Sequence, residues 1–294
     1  MSEPMPKPRV AILGLGNMGA GMANRLLSTP FPLIVYNRNP ERAAQFARAG
    51  TAVANSPREA AASADIVISM VADDDASRFV WLGEEGALSG ASKSAVLIEC
   101  STLTVGWVRE LAAMAEKQGC QFLDAPVTGS KTQAASGELL FLVGGSAAAL
   151  EKARAVLAVL GRDVVHLGPV GSGAYLKLIN NFVCGVQAAS FAEAASMIRA
   201  TGLDMEKAQA VLTNGAPGSP LVKTISARAA ANDPTVNFSL RLMAKDLRYA
   251  IEDARRIGLS LHTAASALEV LQRAIAGGYG EKDLSAIIAS LQPK

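Results

Sequence analysis

The chain has 294 residues, half of them hydrophobic and 18% charged. That is enough for one large domain or two ordinary ones, and enough apolar surface to bury a core rather than remain a disordered tail. Lys and Arg number 28 against 26 Asp and Glu, a formal charge of +2 with no long basic run, so composition gives no support to general nucleic-acid binding. The three cysteines, Cys100, Cys120 and Cys184, lie far apart without a CxxC pair, which argues against a disulfide framework and fits a reducing cytoplasm. The N-terminus lacks the basic start and long apolar stretch of a secretion signal, and no segment runs long enough without charge or turn residues to span a bilayer.

Short apolar runs, several rich in β-branched residues, alternate with helix-like segments in the first part of the chain. Strands are expected at Val10–Leu13, Leu33–Tyr36, Ile66–Met70, Val96–Ile98 and Gln121–Asp124. Helices are expected at Ala20–Leu27, Pro40–Ala49, Asp73–Trp81 and Thr104–Lys117. This alternation implies a parallel sheet with helices on both faces, which Leu139–Val143 and Val164–Leu167 extend. After Gly168-Pro169 the pattern changes. One helical stretch from about Ser172 to Ala200 exceeds the usual globular length and reads as an interdomain helix. Further helices follow, interrupted by the turn cluster Asn214-Gly-Ala-Pro-Gly-Ser-Pro220. The expected fold class is α/β, a Rossmann-type doubly wound parallel sheet over residues 1–169, then an all-helical domain over 170–294.

Gly14-Leu15-Gly16-Asn17-Met18-Gly19 is a GxGxxG motif. Alone it is weak, but here it follows an expected strand and opens an expected helix, the context a dinucleotide site requires. Gly14 permits the tight turn, Gly16 lets the backbone approach a pyrophosphate, and Gly19 lets the helix pack on the strand. The helix N-terminus offers N–H groups and a positive dipole end to the phosphates. At the end of the second strand an NAD site usually carries Asp or Glu for the ribose hydroxyl. This chain has Asn37-Arg38, with no carboxylate to repel a 2′-phosphate and a guanidinium able to grip one. NADP(H) is therefore expected in preference to NAD(H).

Hydride transfer to or from a carbonyl needs a proton donor or acceptor. Both histidines, His166 and His262, lie away from any motif, and the Asp73-Asp74-Asp75 run opens a helix, where acids favour the dipole. Lysine remains, and Lys177 stands inside the long, mostly apolar helix with Asn181 four residues on and so on the same face. Partial desolvation disfavours an ammonium and eases proton transfer near neutral pH. A lysine snorkelling from a helix edge fits the spacing equally well.

With these residues in place, the chain resembles the β-hydroxyacid dehydrogenase family, which includes 3-hydroxyisobutyrate dehydrogenase, tartronate semialdehyde reductase and the glyoxylate/succinic semialdehyde reductases. The resemblance covers nearly the whole chain. It rests on the Gly14–Gly19 turn, Asp124-Ala-Pro126-Val-Thr128-Gly129-Ser130-Lys131, Gly173 to Asn181, and Lys245-Asp246-Leu247. It implies that Lys177 is the catalytic lysine, that Asn181 orients substrate, and that Lys245 contacts the cofactor. It further implies that Thr102 touches nicotinamide and substrate, that Thr128, Gly129 and Ser130 form the carboxylate-binding loop, and that Phe238 and Asp246 line the substrate pocket. Met70-Val71-Ala72 stands where the family often has Met-Leu-Pro beside the nicotinamide. The Thr-Gly-Ser-Lys loop resembles the glyoxylate/succinic semialdehyde reductase branch, whose members prefer NADPH.

The expectation is an oxidoreductase that moves a hydride between NADP(H) and a small aldehyde or hydroxy acid bearing a carboxylate, with no metal. The aldehyde acid would lie in a cleft between the domains, with Lys177 as general acid or base. The resemblance also implies a homodimer or homotetramer. Alternatives are another β-hydroxyacid substrate, of the 3-hydroxyisobutyrate or tartronate semialdehyde type, an imine or other carbonyl, and a catalytically silent NADP-binding module.

Overall fold

The computed structural model describes residues 7–291. The chain divides into two compact units, the first reaching Lys177 and the second starting at Leu178.

The first unit is a nine-stranded sheet flanked by helices. Its strands are β1 (Val10–Leu13), β2 (Leu33–Tyr36), β3 (Ala52–Val53), β4 (Ile66–Ser69), β5 (Val96–Glu99), β6 (Gln121–Asp124), β7 (Val127–Thr128), β8 (Leu139–Gly145) and β9 (Gly161–Gly168). Helices α1 (Asn17–Leu27), α2 (Pro40–Arg48), α3 (Pro57–Ala62), α4 (Asp74–Trp81), α5 (Ala87–Gly90), α6 (Val105–Lys117), α7 (Lys131–Ser136) and α8 (Ala147–Leu160) connect them. The order β3-β2-β1-β4-β5-β6 is wholly parallel, the doubly wound arrangement that gathers ligand-binding loops at the carboxyl ends of the strands. β1, β4 and β5 are buried along their whole length, which is why they read as continuous apolar runs rather than alternating ones.

Two departures from the sequence expectation occur at the far edge. Leu139–Gly145 does extend the sheet, but it runs antiparallel to β6 and β7 before β9 pairs with it in parallel. Only a short loop and the six-residue helix α7 separate β7 from β8, too little chain for a parallel crossover. The short elements β3, α3, α5, β7 and α7 were not expected from the sequence, nor was the fourteen-residue helix α8. In α8 an alanine-rich run blurs the apolar stripe that would reveal a helix.

The long helix forms as expected, as α9 (Ser172–Thr201). Its first turns group with the first compact unit, which reaches Lys177. The N–H groups of Gly171 and Ala174, at the start of α9, donate to Asp124. The second unit continues with α10 (Met205–Asn214), α11 (Pro220–Ala230), α12 (Leu240–Arg256), α13 (His262–Ala274) and α14 (Ile287–Ser290). The turn cluster separates α10 from α11, where Ser219 caps the new helix and Pro220 takes its first position. This unit buries its own core, including Phe191, Leu240, Met243, Leu247, Leu271 and Ile287. Each such fully buried side chain is worth about 1.5–3 kcal/mol. Among the described residues, no helix is long and apolar enough to cross a membrane.

Candidate active site

The GxGxxG turn joins β1 to α1 as the sequence implies. Gly14 has φ +98° and donates its N–H to the Tyr36 carbonyl at 2.9 Å, extending the β1–β2 ladder into the turn. That left-handed backbone favours glycine. A side chain on Gly19 would collide with the Gly14 carbonyl, so close helix–strand packing needs glycine there. Gly16 differs. A Cβ built on it meets nothing nearer than Arg42 Nη1 at 3.8 Å. It is the N-cap of α1 and provides no side-chain cap, and the first helical bond runs from Ala20 N–H to its carbonyl. The helix start is thus open on the side where Gly16 lacks a side chain. This is the cradle a dinucleotide pyrophosphate needs, and the residues fit that group.

Asn37 and Arg38 divide their duties. The Asn37 carboxamide accepts the Leu15 N–H at 2.8 Å and donates to the Asn39 carbonyl at 2.8 Å, so it holds the glycine turn in shape. Arg38 is exposed, with its guanidinium 5.8 Å from the centre of the Phe79 ring. Arg42, which the sequence reading passed over, lines a surface cavity of about 590 Å³ together with Leu15, Gly16, Asn17, Glu41 and Lys131. It lies in the first turn of α2, four residues after Arg38, and that nearness in sequence is a signal that could have found it.

Met70 and Val71 follow β4, and Thr102 follows β5. A carboxylate at the end of β5 ties these two loops together. Glu99 is fully buried and accepts from Ser77 Oγ (2.7 Å), Trp81 Nε1 (2.8 Å) and the Ser101 N–H (2.9 Å). Ser101 Oγ in turn accepts the Val71 N–H at 2.8 Å. Burial pushes the Glu99 carboxyl above its ordinary range, against the pull of these donors. The Asp73–Asp75 run does helix-end work: Asp73 caps α4, and Asp74 accepts both the N–H and the hydroxyl of Thr104 at 3.0 and 2.6 Å. His166 bonds the Gly145 carbonyl through Nε2 at 2.8 Å, and His262 opens α13.

Thr128 ends β7, and Gly129 follows with φ +127°. Both line a cavity of about 270 Å³ with Gln133, Glu138 and Arg162. Arg162 brings a cation beside the loop and carried no sequence signal, being a single basic residue outside every motif and just before the expected strand Val164–Leu167. The Ser130 hydroxyl belongs to the capping box of α7, with Gln133 as its partner.

Lys177 is half-buried on α9, one helical turn before Asn181. In the second unit, three residues taken from two separate motifs come together. Asn181 Nδ2 donates to Asp246 Oδ2, its Oδ1 accepts from Asn180 Nδ2 at 2.9 Å, and Lys245 Nζ lies 3.0 Å from Asp246 Oδ1. Asn181, Lys245 and Asp246 are all buried, so the Asn181 amide is held in one orientation by a charged partner. Phe238 is half-buried, and its N–H and that of Asn237 donate to Asp283.

Comparison with known proteins decides the class. The model for the NAD-binding domain of 6-phosphogluconate dehydrogenase matches residues 9–168, and that for the NAD-binding domain of NADP-dependent 3-hydroxyisobutyrate dehydrogenase matches residues 171–291. The chain belongs to the β-hydroxyacid dehydrogenase family. It is 33% identical to an NAD-dependent L-serine dehydrogenase of Pseudomonas aeruginosa, over 97% of this chain and 98% of that one. It is 32% identical to a chloroplastic glyoxylate/succinic semialdehyde reductase of Arabidopsis thaliana, over 96% and 79%. A solved Mycobacterium tuberculosis 3-hydroxyisobutyrate dehydrogenase with L-serine superposes with a TM-score of 0.88 at 32% identity, covering 98% of this chain and all of that one. This family member is therefore an NAD(P)-dependent oxidoreductase with the expected fold class, a doubly wound sheet followed by a helical domain.

Proposed function

We propose that the protein is an NADP(H)-dependent reductase of small aldehydes that carry a carboxylate, of the glyoxylate or succinic semialdehyde type, yielding the hydroxy acid, with Lys177 as the proton donor. The observation that carries the reading is the placement of Lys177. It lies half-buried on the first turns of α9, whose start is bonded to the strand that leads directly into the Thr128–Gly129 loop. When bound, NADP(H) supplies the hydride to the carbonyl carbon, or takes it back in the reverse direction.

The chain's own residues do the rest. The backbone of Leu15, Gly16, Asn17, Met18 and Gly19 binds the pyrophosphate, and Arg38, in the loop after β2, binds the 2′-phosphate with Arg42, in the first turn of α2, as a second cation. Met70, Val71 and Thr102 stand at the strand ends beside the nicotinamide, held by the Glu99–Ser101 network. The Thr128 hydroxyl and Gly129 N–H hold the substrate carboxylate. The Lys177 ammonium gives a proton to the developing alkoxide oxygen and stabilises its charge. Asn181, oriented by Asp246, orients the substrate. A homodimer or homotetramer is part of the proposal, supported by exposed apolar residues of the second unit such as Met197 and Val211.

A second reading is favoured by the serine and 3-hydroxyisobutyrate dehydrogenases among the relatives, namely oxidation of a β-hydroxy acid by the same lysine acting as base. One panel separates the two. NADPH oxidation is followed with glyoxylate and succinic semialdehyde, and NADP+ and NAD+ reduction with L-serine and 3-hydroxyisobutyrate. Fast reduction of the first group with NADPH supports the proposal, and turnover confined to the second group replaces it with the second reading. Undiminished turnover by Lys177→Ala would remove the lysine from either mechanism.

A further inference from the structure

Asp124 is the last residue of β6 and fully buried. Both of its oxygens point at the start of α9. The Gly171 N–H donates to Oδ1 at 2.8 Å and the Ala174 N–H to Oδ2 at 2.9 Å, across 47 and 50 residues of chain. Four helices of the first unit take their caps locally: α2, α4, α6 and α8 are capped by Asn39, Asp73, Thr104 and Ser146, each the residue directly before its helix, while α1, whose start is the glycine turn, has no side-chain cap. The residue directly before α9 is Gly171, which has no side chain to cap with. A neutral local cap would satisfy the same orphan N–H groups without burying a carboxylate, which is costly. The chain instead uses a charged group from a distant strand.

That choice has a geometric consequence. Gly173 seats the first turn so closely on the strands that a Cβ there would strike the Leu142 carbonyl and lie 3.0 Å from Asp124 Oδ2. Lys177 follows Ala174 by three residues, about 4.5 Å of helix rise, with no room for a hinge inside that span. In the other direction, Asp124 opens directly into Ala125-Pro126-Val127-Thr128. One carboxylate thus fixes the helix bearing the lysine against the strand bearing the carboxylate-binding loop.

We propose that Asp124 is a positioning residue for Lys177, acting through the N-terminus of α9 and not on the substrate. This rests on Lys177 being the proton donor of the proposed reaction. A misplacement of about 1 Å at a reacting group can cost around a hundredfold in rate, so loosening the anchor slows turnover while leaving cofactor binding on α1 alone.

The test is Asp124→Asn, nearly isosteric, which turns one acceptor into a donor facing a backbone N–H. Turnover is expressed per NADPH-binding site counted by fluorescence titration, so that a misfolded fraction does not lower it. Amide hydrogen exchange is read over residues 171–177. The expected result is NADPH affinity within about twofold of the parent, turnover per site reduced at least about tenfold, and faster exchange at Gly171 and Ala174. Turnover per site within about twofold of the parent overturns the proposal, as does slow turnover with unchanged exchange. Should Asp124→Asn fail to fold, Ala174→Pro removes a single donor at a first-turn position that tolerates proline, and the same thresholds apply. If the parent turns over none of the panel acids, the catalytic reading has failed on its own. The anchor is then decided by exchange alone, and equal rates in parent and variant overturn it.

Discussion

Replacing Gly16 and Gly19 by alanine, one at a time, separates the two duties of the glycine turn. A Cβ on Gly19 would lie 3.0 Å from the Gly14 carbonyl carbon and nearer still to its oxygen, whereas carbon atoms in comfortable contact stand about 3.5–4.0 Å apart. The start of α1 must therefore retreat by about half an ångström or more, and overpacking of this kind costs about 1–3 kcal/mol. A Cβ on Gly16 meets only Arg42 at 3.8 Å, and its φ of −69° suits alanine. A weakened N-cap and a stiffer unfolded chain nearly offset, so stability changes by less than about 1 kcal/mol. On the proposed cofactor placement, that methyl nevertheless occupies the place where the pyrophosphate approaches the backbone. NADPH affinity is expected to fall about tenfold or more in both variants, while only Gly19→Ala loses appreciable stability. Urea unfolding and NADPH fluorescence titration read the two quantities separately. A Gly16→Ala protein that binds NADPH like the parent would refute the cofactor placement, and a Gly19→Ala protein as stable as the parent would refute the packing argument.

Lys177→Ala is expected to lower turnover by about 10²–10⁴ while leaving the NADPH dissociation constant unchanged, checked by steady-state kinetics beside direct titration. Arg38→Ala should weaken NADPH about tenfold or more and leave NADH untouched, since only the former carries the 2′-phosphate; equal losses for both cofactors would remove Arg38 from that role. Burial pushes the Asp124 carboxyl from 3.8 up to about 6, even against the N–H donors at the start of α9. The folded chain therefore holds this proton more tightly than the unfolded one. The stability it contributes is fully present below about pH 4 and lost as pH rises through about 6, on the order of 3 kcal/mol. Chemical unfolding of the parent and of Asp124→Asn over that interval should show the parent's relative stability falling as pH rises. A constant difference would mean that Asp124 does not titrate there.

The candidate glycines and lysine could be picked out of the sequence because they sit at fixed offsets from recognisable elements. Gly14 to Gly19 bridges a strand and a helix, and Lys177 and Asn181 are one turn apart on a helix too long to miss. What the sequence hid are contacts between residues far apart in the chain. Nothing near Asp124 says that its partners are Gly171 and Ala174, and nothing near Glu99 names Trp81 and Ser77. Asn37 also shapes the glycine turn and Ser130 also caps α7, uses that residue type alone does not reveal. The antiparallel run of β8 was hidden because strand direction depends on connection length, and the connecting helix α7 has only six residues.

Both tryptophans of the chain belong to the cluster beneath the Thr102 loop. Trp81 donates to Glu99, and Trp107 donates to Ser77 at 2.9 Å, itself bonded to Glu99. Intrinsic indole emission is therefore a native probe of this one spot. It will follow melting of the first unit and remain blind to any separate melting of the second, whose described chromophores are Phe and Tyr alone. An emission curve that leads or lags the circular dichroism of the helices would reveal whether the two units come apart as one cooperative body or in sequence.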